Sequence, residues 1–269
     1  MNKIQQNPVP ITGVSFCIAT NAKRVDKTLL TIKSIKNQPW KDIPYEIIIC
    51  GDTEPFSTLD TLSGIIFVNQ KEAAHSAMLA RLKNSAAERA TYSEIVFCDD
   101  DELPDLDWLP TLLEYSNNNP WDVLANRILN PDGTRHWDRA TLSPHTMVPY
   151  EHPEDDRSLY QTGGFFMVRK HVFEKVKWDE TKFFYGDKAG SPAEDVQYSE
   201  DLVSAGYTLR FNKSSTVWHN DISYTAVNFG PQRIIVVDKP TLARDYNYKD
   251  PEFVHPDFLE LVEKIKNLN

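Results

Sequence analysis

Short apolar runs alternate with helical spacing through the first hundred residues. GVSFCIAT (13–20), YEIIIC (45–50), IIFVNQ (65–70) and EIVFC (94–98) are nearly continuous in apolar residues, the pattern of strands covered on both faces. Between them, Val25, Leu29, Ile32 and Ile35 recur at helical spacing within 25–38, and 72–90 is an alanine-rich helical stretch. Strands of this kind separated by helices predict an α/β domain built on a parallel sheet. Beyond residue 120 the pattern loosens. VLANRILN (123–130) and YQTGGFFMVRK (160–170) read as strands on either side of an irregular stretch at 132–158. A long structureless loop in a compact domain is often functional, so 132–158 is a candidate substrate-contacting loop. SPAEDVQYSEDLVSAG (191–206) predicts a helix, with Ser191 as N-cap, Pro192 at the first helical position and Gly206 at its end. YTLRFNKSSTVWHN (207–220) follows as strand and loop, and PDFLELVEKIKNLN predicts a terminal helix.

Composition narrows the partners. The chain has 269 residues, 41% hydrophobic and 25% charged, with a formal net charge of −10, which suits one sizeable core. That acidic balance argues against nucleic acid or an anionic membrane surface as partner, while leaving room for a local basic site for a phosphorylated small molecule. Cys17, Cys50 and Cys98 are odd in number, widely spaced and set in apolar runs, so they read as small buried hydrophobes in a reducing compartment. No window approaches 18 consecutive apolar residues and MNKIQQNPVP lacks an apolar signal region. The expectation is a cytoplasmic protein without an integral membrane segment.

In open parallel sheets, ligands bind beyond the carboxyl ends of the strands. That rule gathers Thr20-Asn21, Asp52 and Asp99-Asp100-Asp101 at one edge. Three adjacent carboxylates repel one another, and a hard divalent cation, Mg2+ or Mn2+, removes the repulsion while also taking phosphate oxygens. Asp99 and Asp101, two apart, reach one side of an extended segment. The competing reading is that Asp101-Glu102 merely favour the start of a helix at DLDWLPTLLEY. Glu194-Asp195 carry the same ambiguity: acids in a first helical turn, or a general base, Asp195, aimed into a cleft. His219, in Trp218-His219-Asn220, is structural unless it joins the aspartates on a metal. Lys83, in Arg81-Leu82-Lys83-Asn84, is a solvated helix charge or a cation for a diphosphate. Trp137 serves equally as a sugar-stacking platform or as a packing anchor.

The succession FCIATNAKRVDKTLLTIKSI, YEIIICGD, LKNSAAERATYSEIVFCDDDELPDLDWL, TGGFFMVRKHVFEKV, AEDVQYSEDLVSAGY and VWH resembles family 2 of the inverting glycosyltransferases over roughly residues 13–220. The resemblance implies a GT-A type, Rossmann-like, mostly parallel sheet with helices on both faces and an acceptor-side region. It divides the chain into an N-terminal extension (1–12), a nucleotide-binding half (13–120), an acceptor and catalytic half (121–220) and a C-terminal extension (221–269) ending in a helix. The implied reaction moves a sugar from a nucleotide-sugar donor to a hydroxyl acceptor, in glycan or polysaccharide synthesis.

Residue by residue, Asp99-Asp100-Asp101 matches the family's DXD: Asp99 on the ribose side, Asp101 on Mn2+ or Mg2+ at the diphosphate with Asp99, and Asp100 pointing away in a structural role within the donor motif. Asp52 matches an acid that reads the base, pointing to uracil, although Gly51 stands where the family often has a first acid. Thr20 and Asn21 fall at the donor edge, and Lys83-Asn84 where the family often has Arg-Asn. Gly163-Gly164 match small residues where sugar and acceptor approach the backbone. Glu194-Asp195 matches the ED motif with Asp195 as catalytic base, and His219 matches a late histidine that completes the metal site.

Rival readings fare less well. DDDEL superficially resembles the DxDx[TV] motif of haloacid-dehalogenase-like phosphatases, but position 103 is Leu and the strand is the fourth, not the first. A sugar-nucleotide pyrophosphorylase wants a glycine-rich, arginine-bearing loop after strand one, and TNAKRVDK has no glycine. A non-catalytic carbohydrate- or nucleotide-binding protein is the remaining alternative.

Overall fold

The computed structural model describes residues 8–57, 59, 62–142, 145–182, 193–221, 224–228, 234–238, 244 and 253–268. Ser191 and Pro192, expected to open a helix, lie outside them.

In chain order the elements are β1 (Val14–Thr20), α1 (Val25–Lys36), β2 (Tyr45–Gly51), β3 (Ile66–Asn69), α2 (Lys71–His75), α3 (Leu79–Ala87), β4 (Glu94–Asp99), β5 (Glu102–Pro104) and α4 (Trp108–Asn118). There follow β6 (Val123–Leu129), β7 (Arg139–Leu142), β8 (His145–Met147), β9 (Leu159–Gln161), β10 (Phe165–Arg169), α5 (Lys170–Phe173), α6 (Glu194–Ser204), β11 (Leu209–His219), β12 (Tyr224–Asn228), β13 (Ile234–Asp238) and a terminal helix, α7 (Pro256–Asn267). Eight strands form one sheet in the order β3-β2-β1-β4-β10-β6-β11-β5. Pairing is parallel from β3 through β4 and between β6 and β11, whereas β10 and β5 run antiparallel to their neighbours. The result is a mostly parallel α/β sheet.

The two-residue period of a strand sorts the core into two layers. Cys17, Ile48, Cys50, Ile95, Phe97 and Phe166 face one side, where α3 and α6 bring Ala80, Leu82, Ala86, Tyr198 and Leu202. Phe16, Ile18, Ile47, Ile49, Val96, Phe165 and Met167 face the other, covered by Ile32 and Ile35 of α1 and Trp108, Leu109 and Leu112 of α4. A third cluster joins α7 to the sheet's far edge through Phe258, Leu261 and Ile265 against Leu103 and Trp218. No helix among the described residues is long and apolar enough to cross a membrane.

Four local expectations change. The predicted helix at 72–90 is two helices, because α2 ends in a Schellman motif: Met78 N–H donates to Ala73 O at 2.9 Å and Ala77 N–H to Ala74 O at 3.3 Å. Ala77 takes φ 54° there, a position usually left to glycine. The predicted strand 160–170 is interrupted at Thr162-Gly163-Gly164. Asp101-Glu102 do not start a helix. Glu102 opens β5, which pairs antiparallel with β11 in the register His219 to Glu102. The stretch 132–158 is not structureless: β7 and β8 join β9 in a three-stranded antiparallel sheet. Arg135 braces it, donating to Asp138 and to Val148 O (2.7 Å) and stacking over Tyr150.

Candidate active site

The strand ends deliver two adjoining clusters of charge. The first gathers around Lys83 of α3. Its side chain is 1% exposed, and its ammonium donates to Gly163 O at 3.1 Å while lying 3.5 Å from Glu194 and 4.0 Å from Asp99. The Trp178 ring closes the other side at 4.5 Å. Lys83 thus spans β4, the break before β10 and the first turn of α6. Asp195, next along α6, accepts from Gly163 N–H at 3.1 Å through Oδ2 and from Val196 N–H at 2.8 Å through Oδ1.

A side chain at this junction would crowd the charged cluster. A Cβ on Gly163 would meet Lys83 Nζ at 2.6 Å, and one on Gly164 would meet Glu102 Oε1 at 2.9 Å. Glycine is required at Gly51, where φ is +134° and a Cβ would fall 1.9 Å from the backbone Thr20 O. That approach of β2 to β1 leaves no room for an acid at position 51.

The second cluster surrounds Asp100 and Asp101 in the turn after β4. Thr20 Oγ1 donates to Asp100 Oδ2 at 2.6 Å. Arg24 reaches both acids, Nη2 to Asp100 Oδ1 at 2.9 Å and Nη1 to Asp101 Oδ2, and lies 3.7 Å from Asp221. His219 Nε2 sits 3.4 Å from Asp101. Its ring stacks on His136 at 4.1 Å, and His136 Nδ1 is 2.8 Å from Asn130 Oδ1.

Asp52 lies one strand over, 2.9 Å from His75 Nε2 and 3.6 Å from Lys71. A backbone bond from its N–H to Thr20 O is what ties it to the second cluster. Asn21 turns its side chain back to accept from Lys23 N–H at 3.1 Å.

Electrostatics follow from burial and pairing. Burial lifts Asp99 to about 7 against the pull of Lys83, with Asp101 and Asp100 adding to the rise. Burial lifts Glu102 to about 8. Burial also opposes charge on Asp101, yet the His219 contact and the Arg24 guanidinium bring its carboxyl down to about 2. Against the same burial, Asp101 and Glu102 hold His219 up at about 9. Burial and the Glu194 carboxylate raise Asp195 above the ordinary aspartate range. For His136, burial and the His219 charge push the imidazole well down.

The carboxylates and imidazole gathered here are the donor types a hard divalent cation takes, but in this arrangement they are engaged by residues of the chain. Asp101 and His219 face each other directly, Arg24 covers Asp101 and Asp100, and Asp99 turns to Lys83. Among the described residues no three His, Cys, Asp or Glu side chains are arranged to hold a metal ion. Several participants escaped the sequence reading, Arg24, His136 and Glu102 among them. Arg24 looks like a solvated charge at a helix start, His136 sits in an irregular stretch, and Glu102 reads as a helix-start acid until its pairing with β11 is known. Trp137 donates its indole N–H to Tyr160 OH at 2.6 Å and packs against Ala140, Met147 and Val196, so its packing role is explicit.

Known proteins resemble this chain in sequence or fold. A curated relative, glucosyl-dolichyl phosphate glucuronosyltransferase of Haloferax volcanii, is 22% identical over 227 residues, covering 78% of this chain and 70% of the relative. Among solved structures, S. aureus TarS 1–349 matches with TM-score 0.53 and 14% identity over 77% of this chain. GalNAc-T7 with UDP, GalNAc and Mn2+ matches with TM-score 0.56 and 13% identity over 78%. The chain spans 60% and 43% of those two proteins, respectively, and the likeness to them is one of fold. The model of glycosyl transferase family 2 matches residues 16–177. With more than half of its length under that model, the chain belongs to glycosyl transferase family 2.

Proposed function

We propose that the chain moves a sugar from a nucleoside-diphosphate sugar, UDP-linked by preference, to an acceptor hydroxyl of a glycan with inversion, and that Asp195 is the general base. The observation carrying this reading is the junction at Gly163: its N–H fixes Asp195 while its carbonyl takes Lys83, which also faces Asp99. One short backbone segment thereby ties an acid on the acceptor side to an acid on the donor side.

Asp195 is half-buried and raised in pKa by burial and Glu194, both of which make a carboxylate a better proton acceptor near neutral pH. It takes the acceptor's proton, the oxygen forms its bond to the anomeric carbon, and the bond to the diphosphate breaks on the opposite face, the electron pair leaving with the nucleoside diphosphate. Charge for the leaving group comes from this chain's own cation at the donor edge, Arg24, which faces Asp100, Asp101 and Asp221. A uracil preference rests on Asp52, buried at the end of β2 and held ionised, against the cost of burial, by His75 and Lys71. The curated relative's name couples a sugar to dolichyl phosphate, which makes a lipid-linked saccharide a rational first acceptor to try.

The test is release of UDP from a panel of UDP-sugars with saccharide acceptors. Asp195→Asn is expected to lower transfer about 10²- to 10⁴-fold, the usual contribution of a positioned base, with donor binding unchanged. Full transfer by that variant would remove Asp195 from the role.

A further inference from the structure

Asp101, which the family resemblance puts on a divalent cation, is already paired with a cation of the chain, as is its neighbour Asp100. Arg24 spans Asp100 and Asp101 with its two terminal nitrogens and also lies 3.7 Å from Asp221. Exposure of the partners is unequal. The Asp100 and Asp101 side chains are 5% and 3% exposed, whereas the Arg24 side chain is 38% exposed. The acids are also held from behind, Asp100 by the Thr20 hydroxyl and Asp101 by His219. Removal of the guanidinium would therefore leave two fixed carboxylates in place, and Arg24 alone has solvent into which to move. It stands just before α1, at the carboxyl end of β1, on the edge where an open sheet receives its ligand.

We propose that Arg24 is an exchangeable counter-ion: it closes Asp100 and Asp101 in the free chain, and on donor binding it yields Asp101 to a divalent cation and turns onto the diphosphate. The inference rests on the donor-binding reading above. A planar guanidinium suits both positions, since its fork matches two carboxylates or a phosphate equally. Without the nucleotide, a divalent cation must evict a paired arginine. With the nucleotide, the evicted guanidinium has a new anion, so the two ligands assist each other, and the assistance is reciprocal.

Mn2+ binding followed by electron paramagnetic resonance, with and without UDP, tests this on the wild-type chain, R24Q and K27Q. Lys27 lies 3.5 Å from Asp221 and its removal changes net charge by the same amount as R24Q while leaving the Asp100–Asp101 clasp intact. R24Q is expected to bind Mn2+ alone about ten- to a hundredfold more tightly, the range set by releasing one or two charge-assisted hydrogen bonds. It should also bind UDP more weakly and show less coupling between the two ligands. K27Q should behave as the wild-type chain. Wild-type Mn2+ affinity in R24Q, or an equal shift in K27Q, overturns the exchange, because charge alone would then explain the data. Should R24Q fail to fold by circular dichroism, R24K carries the same expectation at smaller size: it keeps the charge and loses the fork. Tightened Mn2+ binding in R24Q with no UDP binding by the wild-type chain would keep Arg24 as a clasp that a cation must displace, and overturn both its turn onto the diphosphate and the donor reading.

Discussion

Lys83→Met isolates what a buried ammonium does between three carboxylates. Methionine approximates the length of the lysine stem and fits irregular apolar space, so packing against Trp178 is largely retained while the charge goes. The loss leaves Glu194, 3% exposed, and Asp99 without their nearest cation. Removing one partner of a buried pair costs roughly 3–5 kcal/mol, a large share of the ~5–15 kcal/mol that holds an ordinary domain together. The sign of the pH dependence follows from Lys83 itself, which lowers the pKa of both Asp99 and Asp195. Without it, the folded-state values of these acids rise further above their unfolded values. The folded variant then binds more protons than the unfolded one, so its stability falls as pH rises through the interval between the two values. The deficit relative to the wild-type chain should therefore be near its full size at pH 8 and much smaller at pH 4.5, where the unfolded carboxylates also begin to protonate. Urea denaturation followed by tryptophan fluorescence at both pH values measures this, and adding Glu194→Gln should recover part of the loss. A deficit under about 1 kcal/mol at pH 8, the ordinary scale of a surface change, would refute the claim that Lys83 neutralises the cluster. So would a deficit that does not depend on pH.

Two further outcomes follow from close contacts and burial. Gly163→Ala is expected to destabilise the chain by about 1–3 kcal/mol, the cost of overpacking a filled site, because its methyl would press on Lys83 Nζ at 2.6 Å and Asp195 Cβ at 3.4 Å; transfer activity should fall with it, and unchanged melting and activity together would show that the junction has slack. Cys17, Cys50 and Cys98 are unpaired and buried, with burial raising each thiol, so a thiol-specific disulfide reagent should label none in the native chain at pH 8 and all three in urea; rapid native labelling would contradict the two-layer core.

β1, β2 and β4 were legible because they are buried on both faces over most of their length, which forces an unbroken apolar run that periodicity detects. What escaped detection depends on contacts distant in sequence. β5 is three residues long and exists through its pairing with β11, more than a hundred positions away. β7 and β8 are likewise short, with Arg135 and Arg139 bracing them against Val148 O and His152 O rather than an apolar rhythm. The break in the alanine-rich helix lacked its usual glycine, since Ala77 itself adopts the left-handed conformation. At the site, carboxylates announced themselves because adjacent acids at a strand end need a reason. Their partners did not. An arginine before a helix looks the same in sequence whether it meets water or a buried acid, and a histidine in a loop whether it meets water or another imidazole.

The charge inventory gives the site its character. Asp99, Asp100, Asp101, Glu102, Glu194, Asp195 and Asp221 are matched by Lys83, Arg24, Lys27 and His219 alone among the contacts described. Part of the excess is relieved by protonation, as the raised values of Glu102 and Asp99 indicate. A diphosphate approaching such a cleft would still be repelled unless positive charge arrived with it or was released within it. Lys83 cannot be released, being enclosed by Gly163, Glu194 and Trp178. His219 is stacked on His136 and set against Asp101. Arg24, exposed on one side and clasping two acids that are themselves held in place, is the cation best able to turn outward. An acid-rich donor edge of the kind proposed would thus demand a movable cation, and the asymmetry of burial around Arg24 is the feature that would meet the demand.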